Sequence, residues 1–511
     1  MRKTINSWIL GVGYWIFFSL AASAPLRLCA EDWPQLARDA ARTGYTPDGV
    51  SGPFQWAWAQ CFDEMIRAPA QPIVAEGKVF IGTCLGNLYA LDRTTGSVVW
   101  KYACGSAILH TAGYENGTVY FTAHDGKLRA LNARDGSEKW TFAADDAVWG
   151  SPLLAGGLIV FGSKDGNVYA VSSAGELQWK TGLGAPVNAN AAALGGKVFI
   201  GAMDMHMHAL SLEDGKPLWK SEKLHGMIMH EYWPVAAENA LIVTTTPVYA
   251  EHILSQLIQN EVLFPYTMTI KELGMLKNEQ VMFDAAREWL GKHPARKTFY
   301  VLDPETGREK YIAPILYWAG GGSQHQAPAV SPDGYAYLNY VNFYSGGSGW
   351  IFCGRMKLDT GQVEPLIDIE VTKLPEENAY FSLQIQDFLN VDWRERQKGV
   401  WPIMGDFPVS DQPWTVSLAG ETPFYHHWAY GFYRYDAGRR RLAPMPDRNS
   451  GNFANEREWL KQQFADKPRT RGFLNIHHVT SAPAVSGGWI YFTEDNIIKA
   501  IRCGDGKEAV Q

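Results

Sequence analysis

Several of this chain's 13 histidines stand beside methionines, a pairing that can bind metal. The densest group is Met203-Asp-Met-His-Met-His208, followed by His225-Gly-Met-Ile-Met-His230. Thioether and imidazole together suit a soft ion, copper(I) above all. The same alternation suits a strand, with methionines filling a buried face and His206 and His208 on the other, because sulfur packs readily in cores. A second group is aromatic: Trp149, Tyr232, Trp233, Tyr317, Trp318, Tyr425 and Trp428. Such rings either stack on a flat cofactor or a sugar, or pack between structural elements. Glu231 and the pair Asp145-Asp146 are acids in the same stretches. Gly320-Gly-Gly322 and Gly346-Gly347 lack phosphate-loop spacing. No Gly-x-Ser-x-Gly, HExxH or P-loop pattern occurs, so hydrolase and nucleotide-binding readings lack support.

Composition narrows the classes further. The 511 residues are 46% hydrophobic and only 19% charged, with 50 glycines and 20 tryptophans, a mix that favours many short strands and tight turns. A formal charge of -7 argues against nucleic acid as a partner. The longest basic run, Arg439-Arg440-Arg441, reads as a solvated turn. Six cysteines occur without CxxC or CxxCH, which leaves c-type haem and a zinc ribbon unsupported. A Cys84–Cys104 disulfide, or one of Cys61 with either, is an option in an exported protein. The N-terminus carries Arg2-Lys3, an apolar stretch from Trp8 to Ala24 and then Leu28-Cys29-Ala30. This predicts a signal peptide over residues 1–30, cut after Ala30, and a periplasmic or extracellular protein. The alternative is an uncleaved membrane anchor.

The elements that must position these residues are written in a repeat. Trp100, Trp140, Trp179 and Trp219 stand 40, 39 and 40 residues apart. Each closes a near-copy of one phrase: Gly77-Lys-Val-Phe-Ile-Gly, Leu88-Tyr-Ala-Leu-Asp92, Thr95-Gly96, Trp100. A period near 40 means an array of similar units, none able to bury its apolar face alone. Each unit holds four strand-like pieces separated by Asp-Gly and Glu-Gly turn signals such as Asp125-Gly126 and Asp135-Gly136. Four antiparallel strands per unit make one blade of a propeller.

Later units are worn. A fifth runs from Trp233 to Thr306-Gly307, a sixth from Ala327 to Gly361, and a seventh from Trp414 to Gly438. The eighth, from Ser481 to Gly506, lacks its last strand, and Phe54-Gln-Trp-Ala-Trp58 resembles that missing piece. The expectation is an all-β ring of eight blades, with seven as the alternative, closed by the N-terminal segment to remove an exposed edge. Residues 31–511 form this one domain. Insertions at about 250–296, 368–413 and 445–472 add small helices, around Val281–Lys292 and Asn455–Phe464.

Used as a ruler, the repeat gathers the scattered histidines. His110, His230, His325 and His478 precede a first strand, while His124 and His206 join second to third strands. Both loop types lie on one rim, near the central channel. These six are the candidate metal ligands. Trp149, Glu231, Trp233, His325 and Trp428 are the candidate lining of a ligand or cofactor site on that rim.

The phrase Ala-Leu-Asp-x-x-Thr-Gly-x-x-x-Trp, present from Ala90 to Trp100, Ala130 to Trp140 and Ala209 to Trp219, resembles the tryptophan-docking repeat of the pyrroloquinoline quinone (PQQ) repeat propellers. Ala170 to Trp179 is one residue short. Trp33-Pro-Gln35 with Arg42-Thr-Gly44 is similar to the leader that precedes such repeats. The resemblance implies that Trp100, Trp140, Trp179 and Trp219 dock on the glycine turn of a neighbouring blade. It implies PQQ with calcium as a cofactor only where the enzymes' signature persists. Here the adjacent cysteine pair is missing, and their Glu/Asn/Asp calcium set and catalytic Asp have no local match. The reading is therefore an exported scaffold or ligand-binding module, with a protein or small ligand at the channel face. A quinoprotein alcohol or sugar dehydrogenase is the alternative, and a His/Met metal-binding propeller a third.

Overall fold

The structure is a computed structural model. It describes residues 32–67, 70–226, 229, 233–245, 280–315, 327–342, 350–366, 415–427, 431–438, 441–445, 481–494 and 496–504. Eight sheets follow one another along the chain. Blade 1 contains Ile73–Ala75, Lys78–Gly82, Asn87–Asp92 and Val98–Ala103, listed from the inner strand outward. Blades 2, 3 and 4 repeat it over residues 113–143, 153–182 and 192–220. Blade 5 spans 235–311, blade 6 spans 329–365 and blade 7 spans 415–445. In blade 8 the strands Ala484–Ser486, Trp489–Glu494 and Ile497–Gly504 are completed by Ser51–Cys61 from the other end of the chain. The ring is an eight-bladed propeller, which removes the seven-bladed alternative, and its closure by the N-terminal strand matches the expectation from Trp56 and Trp58.

The docking of blades has a repeated geometry. In blades 1 to 4 the register of third and outer strands pairs Ala90, Ala130, Ala170 and Ala209 with Trp100, Trp140, Trp179 and Trp219, each beside a bulge. A bulge bends the strand and re-aims its side chain. Each indole then lies on the turn glycine of the next blade: a Cβ at Gly136, Gly175, Gly215 or Gly307 would sit 2.8, 2.8, 2.6 or 2.5 Å from the ring. The indole nitrogens donate to carbonyls in those same turns, at Ala133 (3.1 Å), Ser173 (2.9 Å), Leu212 (3.0 Å) and Pro304 (3.0 Å). Only glycine fits, because the ring occupies the space a side chain would need and the turn requires positive φ.

Two further joints use the same device. Trp58 of the closing strand covers Gly96 and donates to Arg93 O at 3.0 Å. Tyr311 covers Gly361 and its hydroxyl donates to Leu358 O at 2.9 Å. The sequence carried a signal for Tyr311, since it follows Gly307 by the interval that separates Gly96 from Trp100.

The insertion in blade 5 contains the expected helix, Gln280–Lys292. Phe283, Trp289 and Leu290 are buried, and Arg287 donates to Ile312 O and Gly361 O at 3.1 and 3.0 Å, fastening the helix to blades 5 and 6. The insertion 368–413 and the helix expected around Asn455–Phe464 lie outside the described residues. The third insertion starts later than expected, because residue 445 still belongs to the strand Arg441–Met445. The disulfide options are not realised: no disulfide links Cys61, Cys84 and Cys104. Cys104 instead donates to Ser106 O at 3.0 Å, and burial pushes the pKa of both Cys84 and Cys104 up.

Candidate functional site

The rim is built from two loop types, the entry to each inner strand and the turn between second and third strands. Backbone hydrogen bonds lock them together. Cys84, His124, Lys164 and Met203, one in each of the first four blades, donate their amides to Met65, Ala107, Ala147 and Pro186 of the entry loops at 2.8–2.9 Å. The turn itself needs a left-handed residue, supplied by Gly86, Gly126 and Gly166 in blades 1 to 3. Blade 4 uses Met205 there, at φ 67°.

That choice explains the methionine motif. Met205, Met207 and Met229 are 5%, 1% and 2% exposed and share one apolar cluster with Phe199, Leu224 and Tyr300 between blades 4 and 5. Burial of the Met205 side chain opposes the strain of its backbone. The histidines of the motif point elsewhere. His206 Nδ1 lies 2.8 Å from Ser221 O. His208 is buried and pairs across the sheet with Ile200 and Lys220. It occupies the place held by Tyr89, Arg129 and Tyr169 in blades 1 to 3. Each of those reaches a carboxylate: Tyr89 donates to Glu64, Arg129 to Asp125 and Tyr169 to Asp165. His208 is too short to do so; its Nε2 stays 4.0 Å from Asp204 and lacks a hydrogen-bond partner. Burial therefore pulls its pKa down to about 4.

His110 stands at the entry of blade 2, 2% exposed. Its Nδ1 is 2.7 Å from Ser151 Oγ, and its Nε2 is 3.0 Å from Asn190 Nδ2. Asn190 Oδ1 accepts the Ser151 amide at 2.6 Å, which ties the carboxamide to the same serine. The Thr111 amide also donates to Nδ1, at 2.9 Å, so both ring nitrogens are engaged and the imidazole is held in place. Trp233 meets His110 edge to face at 6.2 Å. Residues in the entry position of three blades thus form one buried polar joint.

His124 and Trp149 form a more open group. His124 is exposed and meets Trp149 edge to face at 5.1 Å, while the Arg67 guanidinium lies 5.4 Å over the same indole. Beside them Met65 and Leu85 are 49% and 68% exposed. Next to Met65, Glu64 is buried and accepts hydrogen bonds from Tyr89 (2.6 Å), Asn87 (2.9 Å) and Thr83. Burial raises its pKa, but those bonds and the Lys101 charge outweigh it, and the net shift is downward.

Of the candidate residues, the structure brings His110 to Trp233 and His124 to Trp149, and leaves His206 on a backbone carbonyl. Glu231, His230, His325, His478 and Trp428 lie outside the described residues. Among the described residues no three His, Cys, Asp or Glu side chains come close enough to share a metal ion. A quinone with its divalent ion needs such a donor set and a free stacking surface. The Arg67 guanidinium lies over the Trp149 indole, and Glu231, His325 and Trp428, expected to line such a site, fall outside the described residues. Arg67, Met65 and Leu85 carried no motif or periodicity, and only the fold reveals them as rim residues.

The geometry defines a closed propeller with aromatic-docked blades and one loop-rich rim. A protein-family model described as outer membrane protein assembly factor BamB matches residues 55–193 and 146–249, which cover the closing strand and blades 1 to 4. BamB from Moraxella catarrhalis is similar over 88% of this chain and 98% of its own, at 12% identity and a TM-score of 0.48. Quinohemoprotein alcohol dehydrogenase ADHIIG from Pseudomonas putida HK5 aligns over 94% and 81% at 15% identity and a TM-score of 0.51. The computationally designed Ika8 protein aligns over 86% and 98% at 11% identity and a TM-score of 0.50. No curated protein sequence matches the chain. The chain has a PQQ-like β-propeller fold, with the family's repeat matched over residues 55–249. Its fold is shared by proteins of unlike function, so the fold does not choose among them.

Proposed function

We propose that this propeller is an exported scaffold that docks another protein on the rim of blades 1 to 3. The observation that carries this reading is the exposure of Met65 and Leu85, 49% and 68%, beside Arg67, Trp149 and His124. Large apolar side chains grouped in exposed loops mark interaction sites. Aromatic, Met and Arg side chains are the types enriched at protein interfaces. The match of residues 55–249 to the BamB family supports the same reading, since that family is described as an assembly factor. Export rests on the N-terminal segment 1–30.

The test uses the full chain and a partner recovered by cross-linking from a photoreactive residue at position 85. The Met65→Ser/Leu85→Ser variant should weaken binding of that partner at least tenfold while the melting temperature stays within a few degrees. Unchanged affinity would sink the rim reading. A second arm incubates the mature protein with PQQ and Ca²⁺. Retained quinone absorbance with dye-linked alcohol or sugar oxidation would replace the scaffold by a quinoprotein oxidoreductase. Equal copper content in wild type and His206→Ala/His230→Ala would remove the metal-binding alternative.

A further inference from the structure

Residues 33–46, ahead of the first blade, make one circuit of the inside of the ring. Trp33 exchanges both backbone hydrogen bonds with Val74 of blade 1, each 2.9 Å. Pro34 O accepts from Tyr114 of blade 2 at 2.7 Å. The Gln35 carboxamide replaces a peptide group against blade 3, accepting from Leu154 N and donating to Leu154 O. Ala40 O, Ala41 O and Thr43 O accept from Ala193, Ala236 and Val330 of blades 4, 5 and 6 at 2.7–2.9 Å. Gly44 O and Thr46 O accept from Leu418 and Gly420 of blade 7, where Tyr45–Thr46 adds a parallel strand. Blade 8 is tied in through Gln71. Its Oε1 accepts from Trp33 Nε1 and Ala37 N, and its Nε2 donates to Ala482 O and Pro483 O.

The segment also crosses the axis. Trp33 packs into the cluster of blades 8 and 1, whereas Leu36 and Ala37 pack into that of blades 5 and 6, on the far side of the ring. Arg42 is completely buried and spreads its guanidinium over Ala191 O (2.9 Å), Leu36 O (2.8 Å), Gln35 Oε1 (3.1 Å) and Pro152 O (3.4 Å). Burial lowers its pKa to about 9, which still leaves it charged at neutral pH. Ala37, Arg38 and Arg42 all have positive φ, at 50°, 75° and 63°. Non-glycine residues stay in that region only where their surroundings over-determine them. A loose terminal arm would relax.

We infer that residues 33–46 are an internal plug. The inner strands of the ring form a peptide-binding site, and this segment is its resident, closing the axis where it crosses. In blades 1 to 5 the bonded residues, Val74, Tyr114, Leu154, Ala193 and Ala236, are each the middle residue of a three-residue inner strand.

The experiment cuts the folded, full-length protein. A specific protease site is placed between Asp48 and Gly49, in the partly exposed stretch after the plug. After cutting, the N-terminal fragment of the otherwise wild-type protein should stay with the ring through gel filtration. In the Gln35→Ala/Arg42→Ala variant, folded before the same cut, it should elute separately. A synthetic peptide of residues 33–46 should rebind to that emptied ring, and a scrambled peptide should not. Immediate loss of the fragment from the wild-type ring overturns the inference. So does equally firm retention by the double variant. Neither readout depends on the rim partner.

Discussion

Six joints between neighbouring blades are made by an aromatic ring lying on a glycine turn, from Trp58 on Gly96 round to Tyr311 on Gly361. The two joints that flank blade 7 differ. The outer strands of blades 6 and 7, Val363–Pro365 and Arg441–Met445, contain no aromatic residue. There the N-terminal segment takes over. It adds Tyr45–Thr46 to the inner strand of blade 7, and Phe54 packs on Phe424 at 6.5 Å under the Arg434 guanidinium. Ser417 also donates to Pro483 O of blade 8 at 2.5 Å. Where the units are near-copies, each supplies its own joint. Where they have drifted, cohesion comes from chain that is not part of the repeat.

The contrast can be broken most forcefully at a docking ring. Trp179→Ala should cost about 3–5 kcal/mol, the range for removing a buried aromatic, measured by chemical denaturation. Loss of under about 1 kcal/mol would show that docking covers the turn without stabilising it. The glycine side gives the matched pair. Gly136→Ala places a methyl about 2.8 Å from Trp100 at φ 75° and should destabilise by about 2–4 kcal/mol. Gly438→Ala in blade 7 meets, among the described residues, only the Asp436 side chain at 3.5 Å and should stay within about 0.5 kcal/mol.

Two smaller effects depend on pH. His208 has a folded pKa of about 4 against an ordinary 6.5. The unfolded chain therefore takes up the proton first, and stability is full above pH 6.5 and declines as pH falls towards 4. The loss should reach roughly 2–3 kcal/mol at the bottom of that window. His208→Tyr, which installs the residue used in blades 1 and 3, should flatten the slope; an unchanged slope assigns it to another group. Glu64 joins the closing strand to blade 1, and its folded pKa is below the ordinary 4.5. Its contribution is present above 4.5 and lost as pH falls through the folded value. Glu64→Gln should cost about 1–2 kcal/mol at pH 7 and progressively less as pH falls below 4.5, whereas a cost that does not change with pH would mean packing rather than charge.

Much of this molecule was legible in the residues. A tryptophan every 40 or so residues, with a glycine at a fixed interval before it, fixes strand order, turn type and the docking partner, because all three act within one repeat length. The closing role of Ser51–Cys61 was legible too, as a strand missing from one end and spare at the other. The rim was harder to read. The repeat places His110 in an entry loop and His124 and His206 in the turn between second and third strands, yet only the fold decides that the first is locked by Ser151 and Asn190, the second lies open beside Trp149 and the third caps a carbonyl. The alternation of Met205 and Met207 left metal and core both open; burial against Phe199 and Tyr300 places them in the core.

The sequence by itself determined the ring, because local periodicity and turn chemistry dictate each blade and each blade needs a neighbour to bury its faces. The tertiary structure alone decided what occupies the centre. Trp33, Gln35 and Arg42 lie within ten residues of one another, but their partners stand as much as 149 positions away along the chain. No periodic pattern encodes such bonds, since they exist only once all the inner strands converge on one axis.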